Sequence, residues 1–447
     1  MRIVCRIAAL AAATLFLAVP ARETTAQEAD LAALVEEARA ASPEIAAADR
    51  ALDAARARAE AAGAFPDPRL AVGLTNAVVS DPLASEDMMT MRMVQLGTTL
   101  PYPGKLDLEE EAARWMVSAA EAERQAVELG VVAEVKRAYY EIWFLDRALD
   151  VVRANRELLS DFVSVTGTRY SVGTGGQPDI LKAQVERTRL GDELLDLERR
   201  RVAAVAEINA RLDRPSRTPV SRPSIPEEVE RAAVPPPGSE VRFTAIAPVE
   251  REATEAGGPL PDLASLQRAT EESNPRLRAL AARVEARRAE ARLADLAAFP
   301  DFDLTLGYGQ RSGREDMASA MVSMPLPLFK GRKQDPLADA ADGEVAALEA
   351  ERAVLANEVR SDVARLHAAL LRTRDRVALM RDGVLPQARA ALESALAGYR
   401  VASVDFLTLV DSQATLFRHE LDYHDLLAGF ARDLAALEQT VGAEVLR

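Results

Sequence analysis

The chain has 447 residues, and its 55 basic and 70 acidic side chains give a formal net charge of -15. This balance argues against nucleic acid as a partner, because nucleic-acid-binding proteins carry a basic surface. The single cysteine, Cys5, lies close to the N-terminus, so the remainder of the chain must be stabilised by packing or assembly and not by disulfide bonds.

Residues 1–27 are typical of a secretory signal peptide. Two arginines precede the apolar run 7–19, and small residues follow it. The run is too short to span a membrane as a helix, and a retained anchor is the alternative interpretation. No later apolar run has the length of a membrane-spanning helix, so we expect any membrane crossing by this chain to use strands.

The chain contains an internal duplication. LAALVEEARAASPEI at Leu31 resembles LASLQRATEESNPRL at Leu263, and AFPDPRLAVGL at Ala64 resembles AFPDFDLTLGYG at Ala298. Proline-rich corners follow in both halves, LPYPGK and PLPLFKGRK, and YSVGTGG later aligns with YRVASVD. Because these matching segments occur in the same order in both halves, they predict two repeats, 28–212 and 263–447. Each repeat would contain a helix, two strands, a long helix and a further helix.

Each repeat carries a predicted strand pair, at 68–100 and at 302–326. The four segments are Pro68–Val79, Met89–Leu100, Phe302–Ser312 and Asp316–Leu326. Each has about eleven residues, the length at which a tilted strand crosses a bilayer. Apolar side chains alternate with small or polar ones, as expected for lipid on one face and water on the other. A water-soluble sandwich would give the same alternation.

The helices that follow the strands are predicted to be long. We expect helices at 104–169 and 178–212 in the first repeat, and at 334–399 and 405–446 in the second. Apolar residues recur at alternating steps of four and three, which is the coiled-coil period. In the first long helix they are Val131, Val135, Ala138, Ile142, Leu145, Leu149 and Val152. A generic coiled coil explains these helices when they are taken alone.

Four strands are too few to close a barrel, and open strand edges are not tolerated in lipid. The sheet must therefore be completed by other copies of the chain, and three copies would give twelve strands. Between the repeats, residues 213–262 contain ten of the 24 prolines, which predicts an extended linker on the surface of the assembly.

Two further side-chain sets accompany the strands. Phe65, Tyr102, Phe299 and Phe329 lie at the strand–helix corners, either as a membrane-boundary girdle or as a plug on the helical core. Met89, Met91, Met93 and Met321 share the predicted inner face of the strands. Thioethers suit Cu(I), but methionine also fills irregular gaps, so metal binding is the speculative alternative to packing.

The AFPDP and LPYPGK corners, the YSVGT turn and the LTLVDSQ run resemble the TolC-like outer membrane efflux protein family over nearly the whole mature chain. The LPYPGK form and the methionines before it are most similar to the heavy-metal branch. The resemblance implies a homotrimer with a twelve-stranded barrel in outer membrane lipid and a long helical tunnel in the periplasm. It also implies a periplasmic adaptor and an inner-membrane pump, with a pump of the RND type favoured.

The resemblance also assigns roles to the ends of the helical hairpins. The adaptor-docking tips would be Tyr170, Val172, Gly173, Thr174, Tyr399, Val401, Ala402 and Ser403. Asp411 stands at one aperture position, Thr408 replaces an acidic residue at the other, and Asp405 is a candidate substitute. Helix capping by the aspartates is the alternative. Pro386 lies inside the second long helix. It is predicted to bend the hairpin of the second repeat (the inner hairpin) towards the axis of the trimer and so to narrow the tunnel.

The expected function is therefore a passive exit duct and not an enzyme, without cofactors. The three histidines, His367, His419 and His424, are not accompanied by carboxylates or cysteines at ligand spacing, so we expect surface or core roles for them. Two other functions stay open at this point. One is the same duct in type I protein secretion, and the other is a soluble periplasmic coiled-coil adaptor.

Overall fold

A computed structural model describes most of the chain. The described residues are 30–76, 89–173, 176–236, 260–401 and 403–446. The predicted signal peptide and the tip residues Thr174 and Ala402 lie outside them, as does part of the predicted linker, 237–259.

Each repeat folds as helices, a strand pair and long helices. In the first repeat the elements are α1 (Leu31–Ala41), α2 (Pro43–Ala62), β1 (Arg69–Thr75), β2 (Met91–Leu100), α3 (Lys105–Ser171) and α4 (Gln177–Arg211). The linker contributes α5 (Glu227–Ala233). In the second repeat they are α6 (Leu263–Ser273), α7 (Pro275–Asp295), β3 (Phe302–Arg311), β4 (Met317–Ser323), α8 (Gln334–Leu379), α9 (Leu385–Arg400) and α10 (Phe406–Val441).

The helix predicted at the start of each repeat is two helices. The break falls at the same place in both repeats, at Ser42–Pro43 and at Asn274–Pro275. Ser42 and Asn274 have extended backbone, as expected for a residue that precedes proline. Asn274 caps α7 by accepting from the N–H of Leu277 (3.0 Å) and donates to the carbonyl of Thr440 (2.6 Å).

The long helix α3 has 67 residues, so it extends about 100 Å at 1.5 Å per residue. All seven residues of its predicted apolar seam are buried. Around the middle of α3, Tyr139, Tyr140 and Trp143 are buried in one hydrophobic core with residues of α10. A rod of this length is stable because neighbouring helices cover its seam, not because of helix propensity alone.

The four strands form one antiparallel sheet in the order β1-β2-β3-β4. The central pair, β2 with β3, joins the two repeats, with Leu100 opposite Phe302. The strands are shorter than predicted, and residues 77–79 of the first segment lie outside the described residues. β4 ends at Ser323 instead of Leu326, since Pro325 has no N–H to continue the ladder.

The inter-repeat segment is not wholly extended, contrary to the prediction. Helix α5 contacts α8 and α10, and Val229, Ala232 and Ala233 are buried. The Tyr139 hydroxyl donates to the carbonyl of Ser224 (2.9 Å) and accepts from its N–H (3.0 Å). The prolines confine helix to one short run, but its apolar residues still pack on the helical core.

The second long helix is interrupted. A π-helical segment, Met380–Val384, separates α8 from α9, and Pro386 is near the start of α9. Proline has no N–H and its ring displaces the carbonyl four residues earlier, so a wider turn accommodates it within a continuous rod.

Candidate transport surface and helical tips

The outer face of the sheet is apolar and exposed. Strand register places Leu70, Leu96 and Leu306 in one cross-strand row, and Val72, Val94 and Tyr308 in the next. The side chains of all six are exposed in the chain. A contiguous apolar surface of this kind on a sheet indicates contact with lipid or another protein and not with water.

The opposite face carries small and polar residues. Gln95, Gly97 and Thr99 of β2 lie opposite Gly307, Thr305 and Asp303 of β3. The Thr99 hydroxyl donates to Asp303 at 2.6 Å. At Gly307 an added Cβ would lie 2.6 Å from the Ser319 hydroxyl oxygen, so a larger residue would displace its neighbours. This face is suited to water and small solutes.

The two edges of the sheet are not paired within the described part of the chain. β1 pairs only with β2, and β4 pairs only with β3. Each edge therefore presents unpaired backbone donors and acceptors along about seven residues. Such edges are a template for strands of another molecule.

A polar and aromatic joint connects the corner after β2 to the corner before β3. The Lys105 ammonium group donates to a carboxylate oxygen of Asp301 (2.8 Å) and to the carbonyl of Phe299 (2.9 Å). The same Asp301 oxygen accepts from the N–H of Tyr102 (2.8 Å). The Tyr102 ring stacks on the Phe299 ring, with centroids 4.7 Å apart. Gly104, with φ +92°, lets the chain turn directly into α3.

The four corner aromatics have different surroundings. Tyr102 and Phe299 stack on each other, whereas Phe65 and Phe329 leave 69% and 72% of their surface exposed. None of the four is buried in the helical core, which disfavours the plug interpretation. Their place in a membrane-boundary girdle stays a prediction.

The methionines lie on the inner face of the sheet. The sulfur of Met91 lies beside Gly309, and the methyl group of Met93 lies beside Gly307. The Thr75 hydroxyl donates to the sulfur of Met93 (2.8 Å). Met321 lies opposite Thr305 on the same face, three same-face positions along the strands from Met91. Contacts with glycines are those of gap-filling side chains, and metal binding stays a prediction. Met89 is exposed and precedes β2.

The two helical tips are joined to each other. The Arg169 guanidinium donates to the carbonyl of Tyr399 (2.7 Å) and lies 4.6 Å from the centre of its ring. Tyr399 is buried against Phe406, so it is a packing residue. This differs from the prediction, which made Tyr399 one of the adaptor-docking residues.

The remaining described tip residues are accessible. Tyr170, Val172, Val401 and Ser403 are exposed, and Gly173, two residues after α3, has φ +77°. Three of these five residues are large and apolar or aromatic, on a surface that no part of the described chain covers. Their role in adaptor docking stays a prediction.

Of the aperture candidates, Asp405 is a helix cap. Its carboxylate accepts from the N–H of Thr408 (2.9 Å) at the start of α10. Hydrogen bonds from Thr408 hold the pKa of Asp405 below its usual range. Thr408 and Asp411 are exposed one turn apart on the same helix. Asp411 is thus the aperture candidate whose carboxylate does not cap a helix.

Sequence reasoning did not find the contacts around the π-helical segment. Arg381 donates to the carbonyl of Pro235 (2.6 Å) and to both carboxylate oxygens of Asp382 (2.7 and 2.6 Å). The inter-repeat segment is therefore hydrogen bonded to the helix just before Pro386. The proline was a local signal for a bend, but nothing local to Arg381 indicated a partner 146 residues away.

The histidines and acidic residues do not form a metal site in the described residues. No three His, Cys, Asp or Glu side chains there are grouped to hold an ion. His424 packs edge-on against Trp143, with ring centroids 5.8 Å apart, and burial lowers its pKa to about 4. His419 lies 3.8 Å from Asp422. His367 contacts the carbonyl of Pro261 at 3.2 Å. None of the helices in the described chain has the length and apolar character of a membrane span.

Solved structures of outer-membrane proteins share this fold. The outer-membrane channel OprN is similar with a TM-score of 0.75 and 19% identity, over 92% of this chain and 90% of that chain. CusC, whose structures are described with transmembrane channel formation, has a TM-score of 0.75 and 16% identity, over 92% of both chains. VceC of Vibrio cholerae has a TM-score of 0.74 and 18% identity, over 93% of this chain and 96% of that chain. At these identities the likeness defines the fold, which confirms the predicted fold class.

A family model described as outer membrane efflux protein matches residues 34–212 and 266–443, one match in each repeat. The chain therefore belongs to the outer membrane efflux protein family. It is an outer membrane protein whose helical part extends into the periplasm. No curated protein sequence matches the chain significantly.

Proposed function

We propose that this protein is the outer membrane channel of a tripartite efflux system. It is a passive exit duct for substrates that an inner-membrane pump delivers through a periplasmic adaptor. The observation that carries the proposal is the sheet, which has an apolar exposed face, a small and polar face, and two unpaired edges. Such a sheet is stable in a bilayer only when further copies close it into a barrel around water.

Three copies complete the barrel with twelve strands. An exposed apolar stripe on α4 supports an assembly of copies along the tunnel as well. Leu181, Val185, Leu195 and Val202 are exposed, and their spacing fits two positions of one continuous heptad register. A seam of this kind is stabilised when a neighbouring helix covers it, so we assign it to contacts between copies.

The exposed tip residues support the adaptor partnership. Val172 and Val401 directly follow α3 and α9, and their apolar side chains are exposed. Exposed apolar residues at loop ends are common in binding surfaces, since burying them stabilises a complex. The tips are the end of the helical part farthest along α3 from the sheet, which is where a periplasmic partner would meet the duct.

The substrate class that we propose is heavy-metal cations. It is supported by the inner-face methionines, whose thioethers are soft ligands. The test is to titrate purified protein with Cu(I) and measure binding. The parent is compared with the double variant Met91→Leu/Met93→Leu, and Met116→Leu on α3 is the control. We expect weaker binding only in the double variant. Equal binding by all three proteins would assign the methionines to packing.

The function is tested in a strain that lacks this protein. We expect loss of tolerance to copper, silver, zinc, cobalt or nickel, restored by the parent gene on a plasmid. Loss of tolerance to dyes and detergents instead would keep the duct but remove the metal assignment. Unchanged tolerance to every compound, together with a defect in secretion of a protein, would favour type I secretion and contradict the efflux proposal.

A further inference from the structure

The joint between Lys105 and Asp301 has a duplicated counterpart in the sequence. Before β1, the chain reads AFPD from Ala64, as it does from Ala298 before β3. Phe65 and Asp67 thus stand where Phe299 and Asp301 stand in the second repeat. They form one half of a second joint.

The other half follows β4. Phe329 stands where Tyr102 stands in the first repeat, and Gly331-Arg332 stands where Gly104-Lys105 stands. The spacing from the aromatic residue to the basic residue is the same in both corners, and the later corner has an arginine in place of the lysine. Arginine has a longer, forked side chain that binds a carboxylate with two parallel hydrogen bonds, so it can take the role of the lysine.

These two halves do not meet within one chain. Phe65 and Phe329 are exposed by 69% and 72%, whereas the equivalent Tyr102 and Phe299 stack at 4.7 Å. Asp67 and Arg332 are exposed, and neither forms a side-chain ion pair with another residue that the structure describes. The chain therefore carries one completed joint and the two separate halves of another.

Strand topology determines what would bring the halves together. The completed joint links the segment after β2 to the segment before β3, and these two strands are paired. The unused halves lie after β4 and before β1, which are the two open edges of the sheet. If β4 of one copy pairs with β1 of the next, the halves approach each other as they do inside the chain.

We propose that a second copy of this chain completes the joint. Phe329 of one copy stacks on Phe65 of the next, and Arg332 of the first binds Asp67 of the second. This proposal rests on the three-copy assembly proposed above and adds the side chains that hold its strand–helix corners in register. Three copies would then contain six similar joints, three within chains and three between them.

The first test uses crosslinking. Cys5 is the only native cysteine, so in a Cys5→Ala background only introduced thiols react. Phe65→Cys/Phe329→Cys protein, treated with a short bis-maleimide, should give covalent dimers and trimers on a denaturing gel. The matched pair Tyr102→Cys/Phe299→Cys should crosslink within one chain and remain monomeric in size. Each single cysteine variant should give no oligomer ladder.

Two results would overturn the proposal in distinguishable ways. Protein with the native mass of three copies that gives no covalent oligomers would contradict the joint but leave the assembly intact. Protein with the native mass of one copy would contradict the assembly and the joint with it.

A charge reversal tests the ion pair without crosslinking. Asp67→Arg and Arg332→Asp should each lower the temperature at which detergent-purified oligomers dissociate, because each places like charges together. The double variant Asp67→Arg/Arg332→Asp should recover most of the loss. Losses that add in the double variant would show that the two side chains do not interact, and would overturn their assignment to one joint.

Discussion

The ammonium group of Lys105 lies 2.8 Å from a carboxylate oxygen of Asp301, and this ion pair holds together two corners from different repeats. The Lys105 side chain is only 14% exposed, so its pairing is less screened by water than that of a typical surface pair. The contact places the end of β2 and the beginning of β3 directly above the first turn of α3. It therefore determines where the sheet gives way to the helices.

The Asp301 joint predicts a pH dependence of stability. Burial alone would raise the pKa of Asp301, but hydrogen bonds from Lys105 and Tyr102 outweigh it and leave the pKa below its usual range. Because the pKa is lower in the folded state, the stabilisation is complete above the unfolded value of about 4. It is lost as the pH falls through the folded-state value.

We therefore expect Asp301→Asn to melt at a lower temperature than the parent at pH 7, with a cost of about 1–2 kcal/mol for the charged hydrogen bonds. The difference should shrink as the pH is lowered through about 4. The control is Asp295→Asn, which changes an exposed carboxylate at the end of α7. A difference between parent and Asp301→Asn that stays constant with pH would contradict this account of the joint.

Adjacent residues of β2 should respond in opposite ways to one charged substitution. Leu96 is exposed on the apolar face and Gln95 lies on the polar face. Arginine on the lipid-facing side of a barrel costs about 2–4 kcal/mol near the bilayer midplane, whereas substitutions towards the lumen are tolerated. We expect Leu96→Arg to reduce the amount of heat-stable oligomer in outer membranes, and Gln95→Arg to assemble normally. Equal assembly of both variants would mean that the faces are not lipid and water.

Pro386 is expected to set the bend of the inner hairpin. Alanine can donate the backbone N–H that proline lacks, so Pro386→Ala should let the π-helical segment Met380–Val384 relax towards regular helix. The tip beyond it would then rotate, and we expect a higher closed-state conductance in planar bilayers. Gln387→Ala, at the next exposed position, is the control. The bend has no role in narrowing the tunnel if Pro386→Ala conducts as the parent does.

The roles of Asp405 and Asp411, at the start of α10, should be separable by experiment. Asparagine caps a helix about as well as aspartate, so Asp405→Asn should keep both stability and ion selectivity. Asp405→Ala should lower the melting temperature, because the N–H of Thr408 loses its cap. If Asp411 lines the aperture, Asp411→Asn should lower the preference for cations, measured as a shifted reversal potential under a KCl gradient. Loss of selectivity in Asp405→Asn alone would reverse this assignment.

The sequence predicted features that depend on neighbouring residues. The faces of the strands follow from a period of two, and the predicted alternation agrees with Val94 and Leu96 on one side of the sheet and Gln95 and Gly97 on the other. The seam of α3 follows from steps of four and three, and its residues from Val131 to Val152 are buried. Both patterns are local consequences of backbone geometry.

Features that join distant segments were not predictable in the same way. Lys105 and Asp301 both lie in motifs that mark the duplication, but 196 residues separate them. Only the pairing of β2 with β3 brings them together. The prolines of the linker predicted an extended segment, but they did not reveal that Val229 and its neighbours in α5 would be buried. The role of Asp405 could not be decided from the sequence, because a helix cap and an aperture residue are both expected to be aspartate at this position.

The most direct test of the proposed duct is the single-channel conductance of the purified protein in planar bilayers. Closed twelve-stranded barrels of three copies should give discrete current steps, with a preference for cations that matches the acidic residues of the chain. Detergent-purified Leu96→Arg protein should give few or no insertions under the same conditions. Absence of any current from parent protein that has inserted into the bilayer as an oligomer would contradict the account.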